Sequence, residues 1–282
     1  MYQTLVRAKG NDSLSLEEMQ QRLPSIFAPQ PHASRSDRYI YIDTRDVIGA
    51  LVAENFRPVE ARVSWPRDEE RRGFAKHLVR FRKAGGEGPR RVGDSCFEII
   101  LRNAHDGTAS YSLMAGLIRF VCLNGLVVAA GDMTQSRVRH AGDRNRQLAE
   151  VVNAAYDVLE MAPRVLEAPA RWSQIELQRD EQLALARSAH RLRFANAEGD
   201  ISTAIAPEQL LHTRRPSDSG KDLWTIFNVV QENVIRGGIS AASRDHNGRW
   251  RQSTTREVRG IDQNIKLNKA LWQLGEGVAA VH

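Results

Sequence analysis

The sequence predicts a mixed α+β fold: an antiparallel three-stranded meander flanked by helices, followed by a mainly helical C-terminal half. Two observations predict it. Three segments between Val59 and Arg102 alternate apolar and polar residues with period two, the mark of strands with one buried face. Beyond Arg144 the apolar residues recur instead at three- and four-residue spacing, the mark of helices. We divide the chain into an α+β core over residues 1–143 and a helical region over 144–282, which either stands alone or packs on the core as one domain.

Taken in order, residues 14–28 read as a short helix, with Leu16, Met19 and Leu23 on one stripe before Pro24, Pro29 and Pro31. Asp43 or Thr44 caps a second helix, whose stripe is Val47, Ile48, Leu51 and Val52. The three strands follow. Val59, Ala61 and Val63 alternate with Glu60, Arg62 and Ser64. His77, Val79 and Phe81 alternate with Lys76, Arg80 and Arg82. Phe97, Ile99 and Leu101 alternate with Glu98, Ile100 and Arg102. Polar, turn-rich connections suit hairpins. Residues 110–123 read as a helix stopped by Asn124-Gly125. Two short strands are expected at 126–130 and 136–140. Helices are then expected from Arg144 through Leu159, over 173–196, over 223–235 and over 261–279. A polar loop is expected at 240–255.

Composition narrows the function classes. The chain has 282 residues, of which 41% are hydrophobic and 26% charged, which suits a folded protein with a sizeable core. No apolar run approaches the ~20 residues of a membrane span, and Met1–Gly10 has no signal-peptide core. Cys96 and Cys122 read as two buried thiols of a reducing cytoplasm. The formal charge of +6 is unevenly spread. From Arg57 to Arg91 there are 11 Lys/Arg against 5 Asp/Glu, and from Arg236 to Lys269 there are 8 against 3. Most of these cations are arginines, whose planar fork grips phosphate and stacks on bases.

A search for catalytic motifs finds no phosphate-binding glycine loop, no nucleophile elbow and no zinc-protease pair. We therefore expect no catalytic centre and no cofactor or metal. An enzymatic alternative would centre on His105, Asp106 and His140. His105-Asp106-Gly107 is equally ordinary turn chemistry after a strand.

The strand parity yields a binding hypothesis. If Val59, Val63, Val79, Phe81, Phe97 and Leu101 face inward, the opposite face carries Arg62, Lys76, Arg80, Arg82 and Arg102, with Lys83, Arg90 and Arg91 in the adjoining hairpin. Such a face either tracks a sugar-phosphate backbone or is simply a solvated sheet surface. Arg137, Arg139 and His140 would line the same groove. Farther on, Trp250 lies between Arg249 and Arg251. That arrangement suits base stacking with phosphate contact, or a loop whose tryptophan packs back onto the domain.

Several stretches resemble one family: Phe97–Gly107 (FEIILRNAHDG), Ser110–Val128, Arg137–His140, Leu223–Gly238 (LWTIFNVVQENVIRGG) and Thr255–Asn264 onward through Trp272. This is similar to the plasmid- and prophage-borne family known as domain of unknown function 932. The resemblance implies a mobile element, a bacterial cytoplasm and neighbours concerned with DNA repair or antirestriction. In architecture, the helix, meander, helix order also resembles the core of the single-strand annealing proteins, the RecT/Redβ and eukaryotic annealase superfamily. Tyr39–Asp43 echoes their opening. That resemblance implies ATP-independent binding of single-stranded DNA, strand annealing, and assembly into rings or filaments. The expectation is thus a cytoplasmic, homo-oligomeric, single-stranded DNA-binding factor with no membrane partner. The alternatives are a regulator that binds duplex DNA and an antirestriction or host-interaction protein.

Overall fold

The computed structural model describes residues 3–9, 12–36, 39, 41–84, 91–92, 95–119, 124–127, 136–138, 144–201, 203–244 and 249–282. At 91–92, 124–126, 136–138, 144, 243–244 and 251 only the backbone is described. The chain forms two compact units, Met1–Leu166 with Arg259–Ile261, and Glu167–Val258 with Asp262–His282.

The first unit is built on an antiparallel sheet. Its strands are β1 (Gln3–Arg7), β2 (Phe56–Ser64), β3 (Lys76–Lys83), β4 (Arg91–Val92), β5 (Ser95–Asn103), β6 (Tyr111–Arg119), β7 (Asn124–Val127) and β8 (Ser136–Val138). The spatial order is β1-β2-β3-β5-β6-β7, with β4 also on β5 and β8 also on β6. The three expected strand segments lie in the middle of this sheet, so a three-stranded meander is too small a description.

The main reason is β6, at residues where the sequence suggested a helix. All nine residues of β6 are buried. A strand covered on both faces has no apolar/polar alternation, so its composition cannot be told from a buried helix. Pairing decides: β6 runs in register with β5 from Ser95↔Arg119 to Arg102↔Ser112. A second departure is a bulge between Pro58 and Glu60, where the register of β2 on β3 shifts. The bulge takes Val59 out of the pairing register while it stays buried, and Ala61 and Val63 pair with Val79 and His77.

Helices pack around this sheet. α1 (Leu16–Arg22) is capped by Ser15, whose Oγ accepts from Glu18 N–H at 3.0 Å. It stops before Pro24, and one 3-10 turn (Pro24–Phe27) completes the segment. α2 (Thr44–Ala53) starts where expected: Asp43 accepts from Arg45 N–H at 2.8 Å. Val47, Ile48 and Leu51 are buried, while Val52 stays exposed. α3 (Arg144–Glu160) buries Val151, Ala155 and Val158 and lies against β6 and β8. It thus belongs with the sheet, and the first unit extends past residue 143.

α4 (Ala162–Trp172) crosses the boundary of the units. The second unit contains α5 (Arg179–Phe194), α6 (Leu223–Arg236), the hairpin β9 (Ser240–Arg244) and β10 (Trp250–Thr254), and nearly all of α7 (Ile261–Ala279). Its centre is aromatic: Trp172 meets Trp272 at 4.7 Å and Phe227 at 5.0 Å between ring centroids. Helix α5 begins six residues later than expected. Residues 175–177 instead pair as extended chain with 221–223, through Leu177 N–H to Lys221 O at 3.0 Å and Leu223 N–H to Ile175 O at 2.8 Å.

Helix α6 is buried almost all round, and several of its polar residues bond to neighbouring elements. Gln231 donates to Asn268 on α7 at 2.8 Å. Glu232 accepts from Arg236 at 2.6 Å and also pairs with Arg215. Asn233 donates to the carbonyls of Leu210 and His212, both at 2.9 Å, and accepts from Arg214 Nε at 2.9 Å. Gly237 ends the helix at φ 64°, where a Cβ would lie 2.7 Å from Thr255 O. That close approach ties the base of the hairpin, since Gly238 N–H donates to the same carbonyl at 2.8 Å.

Candidate nucleic-acid interface

The expected cationic sheet face contains two carboxylates. Strand parity puts Glu60 and Glu98 on the same face as Arg80, and the register sets Glu60 directly opposite both Arg7 and Arg80. Arg80 is 3% exposed and Glu98 is 0% exposed. Arg80 Nη1 donates to Glu98 Oε2 at 2.8 Å, and its Nε lies 3.5 Å from Glu60 Oε1. Arg82 reaches Glu98 Oε1 at 2.9 Å. Arg7 and Arg62 close on Glu60 from the other side. Gly116 makes the network possible. It sits opposite Glu98, and a Cβ there would stand 2.6 Å from Ile100 Cδ1 and 3.3 Å from Arg80 Nη1. Burial alone would raise the Glu60 carboxyl, but the surrounding Arg62, Arg80 and Arg7 outweigh it and bring it down to about 2. This part of the face is a buried ion-pair network and not an open phosphate track.

The other expected cations are dispersed. Lys83 is held in an aromatic cage, with Nζ 4.3 Å from the Phe56 ring centroid and 4.6 Å from that of Tyr156. It also donates to Tyr156 Oη at 2.9 Å and to Glu54 O. Lys83 therefore ties α3 to β2 and β3. Lys76 and Arg102 are half-buried. Register aligns Arg62, Leu78, Arg102, Ser112 and Arg137 in one row across β2, β3, β5, β6 and β8. Arg137 is described as backbone only, and Arg139, His140, Arg90 and Cys122 lie outside the described residues. Cys96 is buried in β5.

The expected polar loop in the C-terminal block is the β9–β10 hairpin. Its strands read Ser-Ala-Ala-Ser-Arg and Trp-Arg-Gln-Ser-Thr, so no run of alternating large apolar residues marks them. Trp250 is 68% exposed at the start of β10, beside exposed Arg249. The residue across from Trp250 is Arg244, which sequence neighbours alone did not pick out. Hairpin register was the signal needed to find it.

His105 and Asp106 take different roles. Asp106 accepts from Thr108 N–H at 2.9 Å and from its hydroxyl at 2.6 Å, with Gly107 at φ 74° between them. This is turn chemistry, braced by Arg71 at 3.5 Å. His105 instead joins a buried polar cluster at the start of α2. Its Nε2 faces Ile26 O at 2.8 Å, so that nitrogen carries the proton. His77 Nδ1 faces Ala75 O at 3.2 Å, which leaves its Nε2 to accept from Thr44 Oγ1 at 3.0 Å. Tyr111 donates to Ile42 O at 2.9 Å, 3.0 Å from the same Thr44 oxygen. His105 Nδ1 and both side-chain polar atoms of Asn103 are buried with no hydrogen-bond partner among the described residues. Among those residues no group of three or more His, Cys, Asp or Glu could hold a metal ion.

Burial pushes His77 down to about 3, helped by neighbouring His105, and burial lowers His105 as well. Both are neutral in the fold, while the unfolded chain protonates them below about pH 6.5. Stability is therefore present above that pH and drains away as pH falls from about 6.5 toward 3. The expected slope from His77 is about 1.4 kcal/mol per pH unit, and His105 adds in the same direction. Urea unfolding at a series of pH values checks this, and His77→Gln should remove its share of the slope above pH 4.5, the ordinary carboxyl range that Glu60 leaves.

The comparisons with known proteins now bear on this architecture. The family described as Domain of unknown function (DUF932) matches residues 31–272. The chain belongs to that family. Among relatives of this DUF932 protein is UPF0380 protein YafZ of Escherichia coli (strain K12), 39% identical over 265 residues, covering 94% of this chain and 91% of the relative. UPF0380 protein YfjQ of the same organism is 39% identical over 263 residues, covering 93% and 90%. No solved structure matches the chain. The matched span runs from before α2 into α7, so β2 to β8, His77, His105 and the hairpin all fall within the family region, while β1 precedes it. Among the described residues no helix of this DUF932 chain is long and apolar enough to cross a membrane.

Proposed function

We propose that this chain is an ATP-independent single-stranded DNA-binding protein that serves a bacterial mobile element as a strand-annealing or recombination factor. The observation that carries this reading is Trp250, 68% exposed on a polar hairpin between arginine positions. An isolated two-stranded hairpin is marginal in water, and this one has no apolar face of its own among its described side chains. An exposed aromatic on such an element suits base stacking, worth about 1–3 kcal/mol per base, beside arginines that meet the backbone. On this reading α2 with β2, β3 and β5 is an annealase-like core, and copies assemble as rings or filaments in the cytoplasm.

A second reading has one feature in its favour: a two-stranded ribbon also fits the major groove of duplex DNA. Fluorescence anisotropy with a labelled oligonucleotide, single-stranded and as duplex, separates the two. Single strands should bind more tightly, and affinity should fall steeply as salt rises. Preference for duplex would favour the regulator, and binding no tighter than millimolar at low salt would remove both.

A further inference from the structure

We propose that the second unit carries a phosphate-binding cleft for a nucleotide, at the base of the β9–β10 hairpin. The cleft holds about 670 Å3 and is walled by the 3-10 turn Pro207–Leu211, the end of α6, residues 238–240 and the first turn of α5. That volume falls within the roughly 300–1,000 Å3 of small-molecule sites. Arg179 from α5 and His212 and Arg214 from the segment after the 3-10 turn line it, against a single lining carboxylate, Glu208. Leu211 and Ile239 add apolar wall. Two arginines together with aliphatic surface suit the phosphate and the base of a nucleotide.

Arg214 is the reason to assign phosphate. Its Nε donates to Asn233 Oδ1 at 2.9 Å, and its Nη2 donates to Gly237 O. Asn233 is itself buried and bonded through both amide hydrogens to Leu210 O and His212 O. The guanidinium is therefore fixed by the same buried amide that fixes the cleft wall. Nη1 has no protein acceptor among the described residues, and it belongs to a residue lining the cleft. A pre-set arginine offers its remaining N–H groups to an anion without first losing side-chain freedom.

The nucleotide could arrive free or as one unit of a DNA strand; only the second source rests on the single-stranded DNA reading. Calorimetric titration of the intact chain with thymidine monophosphate, thymidine and an oligothymidylate distinguishes them. Thymidine monophosphate should bind saturably and more tightly than thymidine. Arg179→Ala with His212→Ala, which leaves the Arg214 anchor in place, should weaken it at least about tenfold. Arg214→Gln should do the same, with a single cooperative melting transition above the titration temperature as the folding control. Equal binding of thymidine, no saturation at millimolar nucleotide, or unchanged binding by the Arg179/His212 variant would overturn the cleft. If the monophosphate binds and the oligonucleotide does not, the cleft stands as a free-nucleotide site and the strand-binding reading falls. If the oligonucleotide binds wild type and variants alike while the monophosphate does not bind, the cleft falls and strand binding stands.

Discussion

Replacing Glu98 with alanine is expected to destabilise the protein by about 3–5 kcal/mol. Glu98 is 0% exposed and takes Arg80 at 2.8 Å and Arg82 at 2.9 Å. Its removal leaves Arg80, itself 3% exposed, with only the longer contact to Glu60 at 3.5 Å. Taking one partner from a buried pair strands the other charge in a low-dielectric site, which is why the loss exceeds that of a surface pair. Removing both charges with Arg80→Leu and Glu98→Leu together should recover part of the loss, because no stranded charge remains. Denaturant midpoints for the two single variants and the double variant check this. A loss below about 1 kcal/mol for Glu98→Ala would mean that the pair is solvated like an exposed one, and the open cationic face would return.

That face shows what the sequence could reveal and what a partial reading of it missed. Alternation in β2, β3 and β5 identified the strands and put Arg62, Arg80 and Arg82 on one side. The same alternation puts Glu60 and Glu98 there too, so their neutralising role was legible. Counting only the cations overlooked it. Helices α2, α6 and α7 were readable because each has a stripe or an end signal: Asp43 before α2, Gly237-Gly238 after α6. Strand β6 was not, because burial on both faces erases the period that separates strand from helix. The start of α5 was set by pairing of 175–177 with 221–223, a contact that no local pattern announces. The hairpin hid for the opposite reason from β6: its sequence is mostly polar, and only its register shows that position 244 pairs with Trp250. The cleft was hidden as well. Only the fold brings Arg179 to the His212–Arg214 segment, which Asn233 on α6 holds.

The second large effect concerns Trp250. Its side chain is 68% exposed, so Trp250→Ala should leave stability within about 0.5 kcal/mol of wild type. If the indole stacks on a base, the same change should cost about 1–3 kcal/mol of single-strand affinity, on the order of five- to 150-fold. Trp250→Phe keeps an aromatic face and should restore much of that loss. A tryptophan that only packed on its own domain would give the reverse pattern, with lost stability and unchanged binding. The decisive measurement is the dissociation constant for a labelled single strand, taken at one fixed low salt concentration for wild type, Trp250→Ala and Trp250→Phe. Tight binding by wild type, a loss of at least about fivefold in the alanine variant and rescue by phenylalanine are the predicted result. Equal affinity in all three, or no binding by wild type, would contradict single-strand recognition through this hairpin.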